Sequence, residues 1–366
     1  MLEGLVMGMK LSLGNLIMFG VAGVLFWLAI RKDYEPMLLL PMGFGALLAN
    51  IPFSSAIGEE GPLTVLYQAG IATELFPVLI FIAVGAMVDF GPLLRNPVML
   101  VFGAAAQVGI FLTMLTATQL GFTLKQAASI GIIGAADGPT SIYVASIFAR
   151  ELLAPISVAA YSYMALVPII QPPVIRLLTT PAERRIRMDY KDLKVYRTVK
   201  ILFPIMVTVV AGIVAPISVA LVGFLMFGNL IRECGVLERL SKAAQNELAS
   251  LVTLLLGITI GSTMVASEFL TPTTLMILGM GLVAFVFDTA GGVIFAKVLN
   301  LFLRTKVNPM VGAAGISAFP MSARVIHKMG MQEDPTNYLI MHAVGANVAG
   351  QIGSIIAGGL ILALVR

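Results

Sequence analysis

Charge is what this chain has least of. Of its 366 residues only 11% are Asp, Glu, Lys or Arg, less than half of the ~25% typical of a soluble domain. Water is therefore not its main solvent. It has one cysteine, Cys234, which excludes an internal disulfide and any multi-cysteine metal site. Its two histidines, His327 and His342, stand too far apart for a metal-ligand pair. No glycine-rich stretch runs into Gly-Lys-Ser/Thr, so there is no phosphate loop. The weakly alternating ten-residue segments of a membrane barrel are absent as well. A net charge of +4 and a pI near 9.2 could point to nucleic acid. The cations, however, sit between hydrophobic spans rather than in an aromatic-interleaved patch, which argues against that partner.

What is abundant is apolar surface: 58% of residues are hydrophobic and the mean hydropathy is +0.97. Uncharged runs such as Leu153 to Ile175 and Leu251 to Ser267 are long enough to cross a bilayer as helices. The expected fold class is an all-α polytopic membrane protein. Residues Met1 to Leu13 lack a small-residue cleavage site followed by a polar domain and are not read as a removed signal peptide.

The chain also resembles itself at an offset of 176 to 180. Pro36…Gly43-Phe44 answers Pro216…Gly223-Phe224, and Val84-Gly85-Ala86-Met87-Val88-Asp89-Phe90 answers Ile260-Gly261-Ser262-Thr263-Met264…Glu268-Phe269. The first half predicts spans near 15–30, 36–51, 66–90, 96–117 and 153–175, with a broken segment at about 121–149. The second predicts spans near 199–214, 216–231, 249–268, 273–296 and 338–363, with a broken segment at about 307–325. About ten spanning helices plus two broken re-entrant segments follow. Five spans per half, an odd number, give two inverted-topology repeats. The expected division is a first membrane repeat at 1–178, a basic cytoplasmic linker at 179–198 and a second, inverted repeat at 199–366. Placing the linker in the cytoplasm puts 19 of the 23 Lys and Arg residues on that side, as the positive-inside rule requires.

Candidate chemistry gathers at the broken segments. Asp137 lies in Gly134-Ala-Ala-Asp-Gly-Pro-Thr-Ser141, between helix breakers in an apolar setting. An intramembrane carboxylate costs several kcal/mol and reads as a functional site by default. Paired interrupted segments point to a transporter's binding site. The structural alternative is an Asp capping the helix that starts at Pro139, and both roles can coexist. At the matching position in the second half stands Gly315, surrounded by neutral oxygens: Asn308, Ser317, Ser322, Asn347, Gln351 and Ser354. One carboxylate with several neutral oxygens suits a monovalent ion better than a divalent one. Asn347 reads equally well as ligand or as packing residue. Arg324 could bind an anionic group or serve as counter-charge to Asp137, with an interfacial arginine snorkelling to headgroups as its alternative. Tyr163 offers a hydroxyl within a span, or a packed aromatic. Asp89 and Glu268 sit near span ends and are expected to reach water, whereas Asp288 lies deeper and is a second candidate acid.

Three motifs carry a family resemblance. Gly134-Ala-Ala-Asp-Gly-Pro-Thr140, Asn308-Pro-Met-Val-Gly-Ala-Ala-Gly-Ile-Ser317 and Gly345-Ala-Asn-Val-Ala-Gly-Gln-Ile-Gly-Ser354 resemble the β subunit of the biotin-dependent, sodium-pumping decarboxylases. The resemblance covers nearly the whole chain. It implies a membrane subunit that decarboxylates carboxybiotin, consumes a proton and exports Na+. It further implies Asp137 as sodium ligand and coupling acid, with Asn308, Gly312, Ser317 and Asn347 as further members of the Na+ site. Tyr163 and Arg324 would join the catalysis, Arg324 holding the carboxybiotin anion. The partners so implied are a carboxyltransferase α subunit, a biotin carrier protein and a small membrane γ/δ subunit, in a prokaryotic cytoplasmic (inner) membrane, with a homo-oligomer possible. No Ala-Met-Lys or Val-Met-Lys biotinylation signature occurs, so biotin is expected on a partner subunit. A Na+-coupled or Na+/H+ secondary transporter without decarboxylase activity is the competing reading, and a structural anchor for soluble subunits the third.

Overall fold

The computed structural model describes residues 11–188, 194–214, 216–318 and 320–365, and among them there are helices and turns but no strands. The first helix shows what kind of solvent the chain expects. It runs Leu13–Lys32 (α1), starts at a Ser12 capping box and ends on Arg31 and Lys32, which complement the negative end of its dipole. Met18, Ala22, Leu25 and Ala29 form one buried stripe, while Leu13, Leu16, Ile17, Val24, Trp27 and Ile30 are exposed. A helix apolar all round, with large exposed side chains, belongs in lipid.

Pro36–Ala49 (α2) follows, then Pro62–Leu66 (α3), a π-turn at Tyr67–Ile71 and Leu75–Met87 (α4). Gly91–Arg95 (α5), Met99–Ala106 (α6) and Val108–Gln119 (α7) come next. The first broken segment is Leu124–Gly131 (α8) with a 3-10 turn at Ile132–Ala135, and then Gly138–Phe148 (α9). Leu153–Ala165 (α10), Val167–Leu178 (α11) and Pro181–Arg184 (α12) end this part. Beyond it lie Arg197–Val214 (α13), Val219–Glu233 (α14), Glu238–Ala243 (α15), a second π-turn at Ala244–Leu248, Ala249–Ser262 (α16) and Ala266–Phe269 (α17). Pro272–Phe302 (α18), Met310–Ala313 (α19), Met321–Glu333 (α20) and Ile340–Leu364 (α21) complete the order.

Six of these helical stretches are long and apolar enough to cross a membrane, and up to eight if each of two bent pairs counts as one span. The bends are 62° between Pro62–Ile71 and Leu75–Met87, and 69° between Arg150–Met164 and Val167–Leu178. Of the spans read from sequence, the one near 36–51 is a helix of only 14 residues, short of the ~20 that a perpendicular crossing needs. The span near 273–296 is longer than expected, 31 residues. The first break falls inside 121–149 as expected. The helix after the second break runs on to Glu333, past the expected end at 325.

Two helix crossings frame the interior. Helix α2 packs on α16, and α14 packs on α4. At each crossing a glycine of one helix faces main chain of the other: a Cβ at Gly45 would overlap Ile258 O and one at Gly261 would overlap Met42 O, while Gly85 meets Leu225 O and Gly228 meets Ile82 O in the same way. Small residues let membrane helices approach this closely. Each crossing is finished by a buried asparagine. Asn50 donates to Met264 O at 2.7 Å and accepts from Ala266 N at 2.9 Å; Asn229 donates to Val88 O at 2.9 Å.

The basic linker is docked where it is described. Thr180 caps α12, Arg184 pairs with Glu333 at 2.6 Å, Arg187 with Asp334 at 2.7 Å and Glu183 with Lys297 at 3.2 Å. Residues 189–193 of the linker expected at 179–198 lie outside the described residues.

Candidate ion site at the two breaks

The first break is built by local chemistry. The 3-10 turn ends at Ala136, which adopts the left-handed conformation (φ 54°), and Asp137 is extended, so the chain restarts as α9 with Asp137 as its N-cap. Pro139 stands in the first turn, where its missing N–H costs nothing. The Asp137 carboxylate accepts the Thr140 N–H at 3.3 Å through Oδ1 and the Thr140 hydroxyl at 2.7 Å through Oδ2. The capping alternative weighed from sequence is thus the local geometry.

The second break meets it directly. Ser317 N–H donates to Ala135 O at 2.8 Å. From the same residue a hydroxyl chain runs back to the acid. Ser317 Oγ lies 2.6 Å from Ser354 Oγ, and Ser354 Oγ donates to Asp137 Oδ2 at 2.7 Å. Ser354 belongs to α21, so the chain links three separate segments. Asp137 is 5% exposed and Ser354 fully buried. Chains of this kind polarise one another and gain strength in a low-dielectric interior.

Around this chain the main chain of the second break is held by amides. Asn347 donates to Ile316 O at 2.5 Å, and Gln351 Nε2 donates to Ser317 O. Gln107, at the junction of α6 and α7, reaches Gly315 O at 3.4 Å. The amide oxygens Asn347 Oδ1 and Gln107 Oε1 are buried with no hydrogen-bond partner. Unsatisfied buried acceptors require an explanation, and oxygen ligands suit a hard monovalent cation. Among the described residues no three His, Cys, Asp or Glu side chains form a metal-binding group.

The structure therefore brings Asp137, Ser317, Asn347, Gln351 and Ser354 together around the two breaks. The other residues picked out by sequence lie elsewhere in the hydrogen-bond pattern. Asn308 is fully buried, but its amide nitrogen holds Arg184 O at 2.8 Å and Ile186 O at 2.9 Å, and its oxygen caps Met310 N at 3.0 Å. Gly312 faces Gly292 on α18, where a Cβ would overlap the carbonyl oxygen. The Tyr163 hydroxyl donates to Leu278 O. Arg324 is exposed on α20. Asp288 is fully buried, with its carboxylate against Gly109 and Gly134. Glu268 is exposed and Asp89 partly so.

Sequence reasoning passed over two side chains. Gln107 sits where a predicted span divides into α6 and α7, with no proline to announce the division. Tyr161 presses its ring on Gly138, the residue after Asp137. Only its place on a buried helix could have singled it out.

Comparison with known proteins adds the family. Residues 14–365 match the family described as the Na+-transporting oxaloacetate decarboxylase beta subunit. The chain is 48% identical to the methylmalonyl-CoA decarboxylase subunit beta of Propionigenium modestum, over 97% of this chain and 95% of the relative. It is 50% identical to the glutaconyl-CoA decarboxylase subunit beta of Acidaminococcus fermentans, over 96% and 93%. It is 45% identical to the oxaloacetate decarboxylase beta chain of Klebsiella pneumoniae, over 98% and 96%.

Proposed function

The chain belongs to the family of Na+-transporting decarboxylase β subunits, and from that premise we propose that it removes CO2 from carboxybiotin carried by a partner subunit and uses the step to export Na+. It is a membrane component of a multi-subunit decarboxylase. The carboxyltransferase and the biotin carrier are separate chains here, with a small membrane subunit beside them, in the cytoplasmic membrane of a prokaryote. The fold reading that goes with this is two inverted repeats, 1–178 and 199–366. The reciprocal crossings at Asn50 and Asn229 support it, as do the two π-turns at corresponding places.

The observation that carries the proposal is the hydroxyl chain Ser317–Ser354–Asp137, which ties the Asp137 carboxylate to both broken segments. Asp137 is the ion-coupled acid, with Asn347 supplying a neutral oxygen and Ser317 adjoining it. Loss of CO2 from carboxybiotin leaves a nitrogen anion that takes up one proton. A cation beside Asp137 favours its ionised form, so Na+ arrives as the proton departs and the charge at the break is conserved. Arg324, exposed on α20, is free to approach an anion delivered from outside the membrane. Tyr163 stands further along α10. Asn308 and Gly312 act by placing the second break, Asn308 through the linker carbonyls and Gly312 through close approach to α18.

The test uses the purified complex in sealed vesicles. Asp137→Asn is expected to abolish Na+-dependent decarboxylation and Na+ uptake together while the complex still assembles. Full activity in that variant would remove Asp137 from the mechanism. Na+ transport that persists without any decarboxylation would favour an ordinary secondary transporter.

A further inference from the structure

The proposed mechanism leaves one buried acid unused. Asp288, midway along α18, is fully buried, and neither of its carboxylate oxygens has a hydrogen-bond partner. An intramembrane carboxylate is expensive and marks a function by default. This one is held by two glycines. A Cβ at Gly109, in the first turn of α7, would overlap Oδ1, and a Cβ at Gly134 would overlap Oδ2. Gly134 lies in the 3-10 turn of the first break, three residues before Asp137. The carboxylate is thus a wedge between α7 and the first break, and a side chain at either glycine would displace it.

From that position Asp288 reaches both breaks. Ala284, Asp288 and Gly292 are buried and recur every four residues, so they share one face of α18. On this face Ala284 and Asp288 meet Gly134 of the first break, while Gly292 meets Gly312 of the second, main chain against main chain. The second route runs through α7. The N–H groups of Ile110 and Gly109 bear on the carboxylate, and a negative charge at a helix N-terminus is favourable. Ile110 N–H is itself spent on Gln107 O at 3.1 Å. Gln107, where α6 and α7 part, donates through Nε2 to Gly103 O at 3.0 Å and reaches Gly315 O at 3.4 Å. The same nitrogen stands beside Gly353, the neighbour of Ser354. An ordinary cap closes a hydrogen bond, as Asp137 does with Thr140. Asp288 closes none, so it holds α7 by charge and by shape, and the two can be removed separately.

We propose that Asp288 is a positioning residue for the ion site. It sets the first break through Gly134, and the second through α7 and the contact of Gln107 with Gly315 O. The inference rests on the ion-binding reading of the two breaks. Asp288 touches neither the ion nor the reacting groups. It fixes where Asp137, Ser317 and Asn347 stand relative to one another, and its effect therefore falls on the affinity for the cation rather than on the chemical step.

Asp288→Asn tests this, since it keeps the shape of the wedge and removes its charge. In the intact complex in sealed vesicles, the KM for Na+ is expected to rise about tenfold, with kcat at saturating Na+ nearly unchanged. Without any carboxybiotin, the Na+ concentration that gives half of the thermal stabilisation should rise by the same factor. Asp288→Ala, which removes the wedge as well, should raise the KM at least as far and also lower the melting temperature. Gln107→Leu cuts the α7 route at its far end and is expected to raise the KM in the same direction. An unmoved KM in Asp288→Asn or in Gln107→Leu would overturn the inference. So would a fall in kcat and melting temperature with KM unmoved, the mark of a merely structural residue. Asp137→Asn, run in parallel, separates the two levels. If it is inactive while Asp288→Asn keeps the wild-type KM, only the role of Asp288 is lost, whereas an active Asp137→Asn removes the reading on which that role rests.

Discussion

The main-chain N–H of Ser317 donates to the main-chain carbonyl of Ala135 at 2.8 Å, so the two broken segments are joined by backbone as well as through side chains. A substitution at Ser317 that keeps the N–H leaves this join and removes only the hydroxyl. That separates the consequences of the two.

Ser354→Ala is expected to weaken Na+ activation more than Ser317→Ala. Ser354 bonds the carboxylate itself, whereas Ser317 acts one step away. A hydrogen bond to a charged group is worth about 1.5–3 kcal/mol and a neutral one about 1 kcal/mol. The KM for Na+ should therefore rise about tenfold or more in Ser354→Ala and less than about tenfold in Ser317→Ala. Titrating decarboxylation against Na+ gives both values, and equal effects would contradict the chain order.

Gly138→Ala is expected to inactivate the protein without touching any polar atom. The added methyl collides with the rigid Tyr161 ring, and overpacking of this kind costs about 1–3 kcal/mol. The acid N-cap at Asp137 must shift to relieve it. Melting temperature and Na+-dependent decarboxylation should both fall, and the conservative Tyr161→Phe should not restore them, because the ring remains.

Loss of the frame asparagines should lower stability rather than chemistry. Asn50 makes bonds to Ala46 O, Met264 O and Ala266 N, and Asn229 to Val88 O with a longer contact to Gly85 O. Interhelical bonds in membranes average about 0.6 kcal/mol each. Asn50→Ala is accordingly expected to reduce the melting temperature in detergent more than Asn229→Ala, with kcat retained by whatever fraction stays folded.

At the linker, Arg184→Ala should matter far more than Arg187→Ala. The Arg184 side chain is 10% exposed and that of Arg187 is 64% exposed. Breaking a buried pair costs about 3 kcal/mol or more, while an exposed pair contributes little. Acid should have little effect until it is strong. Thr336, through its hydroxyl and its N–H, and then Arg187 hold the Asp334 carboxyl down at about 2. A depressed carboxyl contributes above its ordinary value of 3.8 and loses that contribution as pH falls through about 2. Protection from hydrogen exchange over residues 184–188, taken relative to the intrinsic rate at each pH, should thus be the same at pH 5 as at pH 8, and lower in Arg184→Ala.

The membrane class was legible because composition alone decides it, and Asp137 because a carboxylate between glycines has few uses in lipid. The oxygens of Ser317, Asn347 and Ser354 could be picked out as polar residues in apolar segments. Their connectivity could not, since it depends on how three segments meet at contacts 31 to 217 residues apart. Helix rotation was equally hidden. Tyr161 and Tyr163 are near-identical in sequence setting, yet one faces Gly138 and the other Leu278. Asn308 was visible as a buried amide, but not that its hydrogens reach carbonyls more than 120 residues earlier. Span limits were the weakest reading, because a 14-residue helix such as Pro36–Ala49 leaves the same apolar trace as a full crossing.

The glycine crossings of α2 on α16 and of α14 on α4 carry a mechanical consequence. Each leaves no clearance for even one added carbon on either helix, so neither pair can slide past its partner by a side chain's width without collision. What such a contact does allow is pivoting, as two crossed rods can rock about the point where they touch. Any exchange of access between the two faces of the membrane would then turn on these two bearings, with Asn50 and Asn229 as the pins that keep each rod from walking along the other.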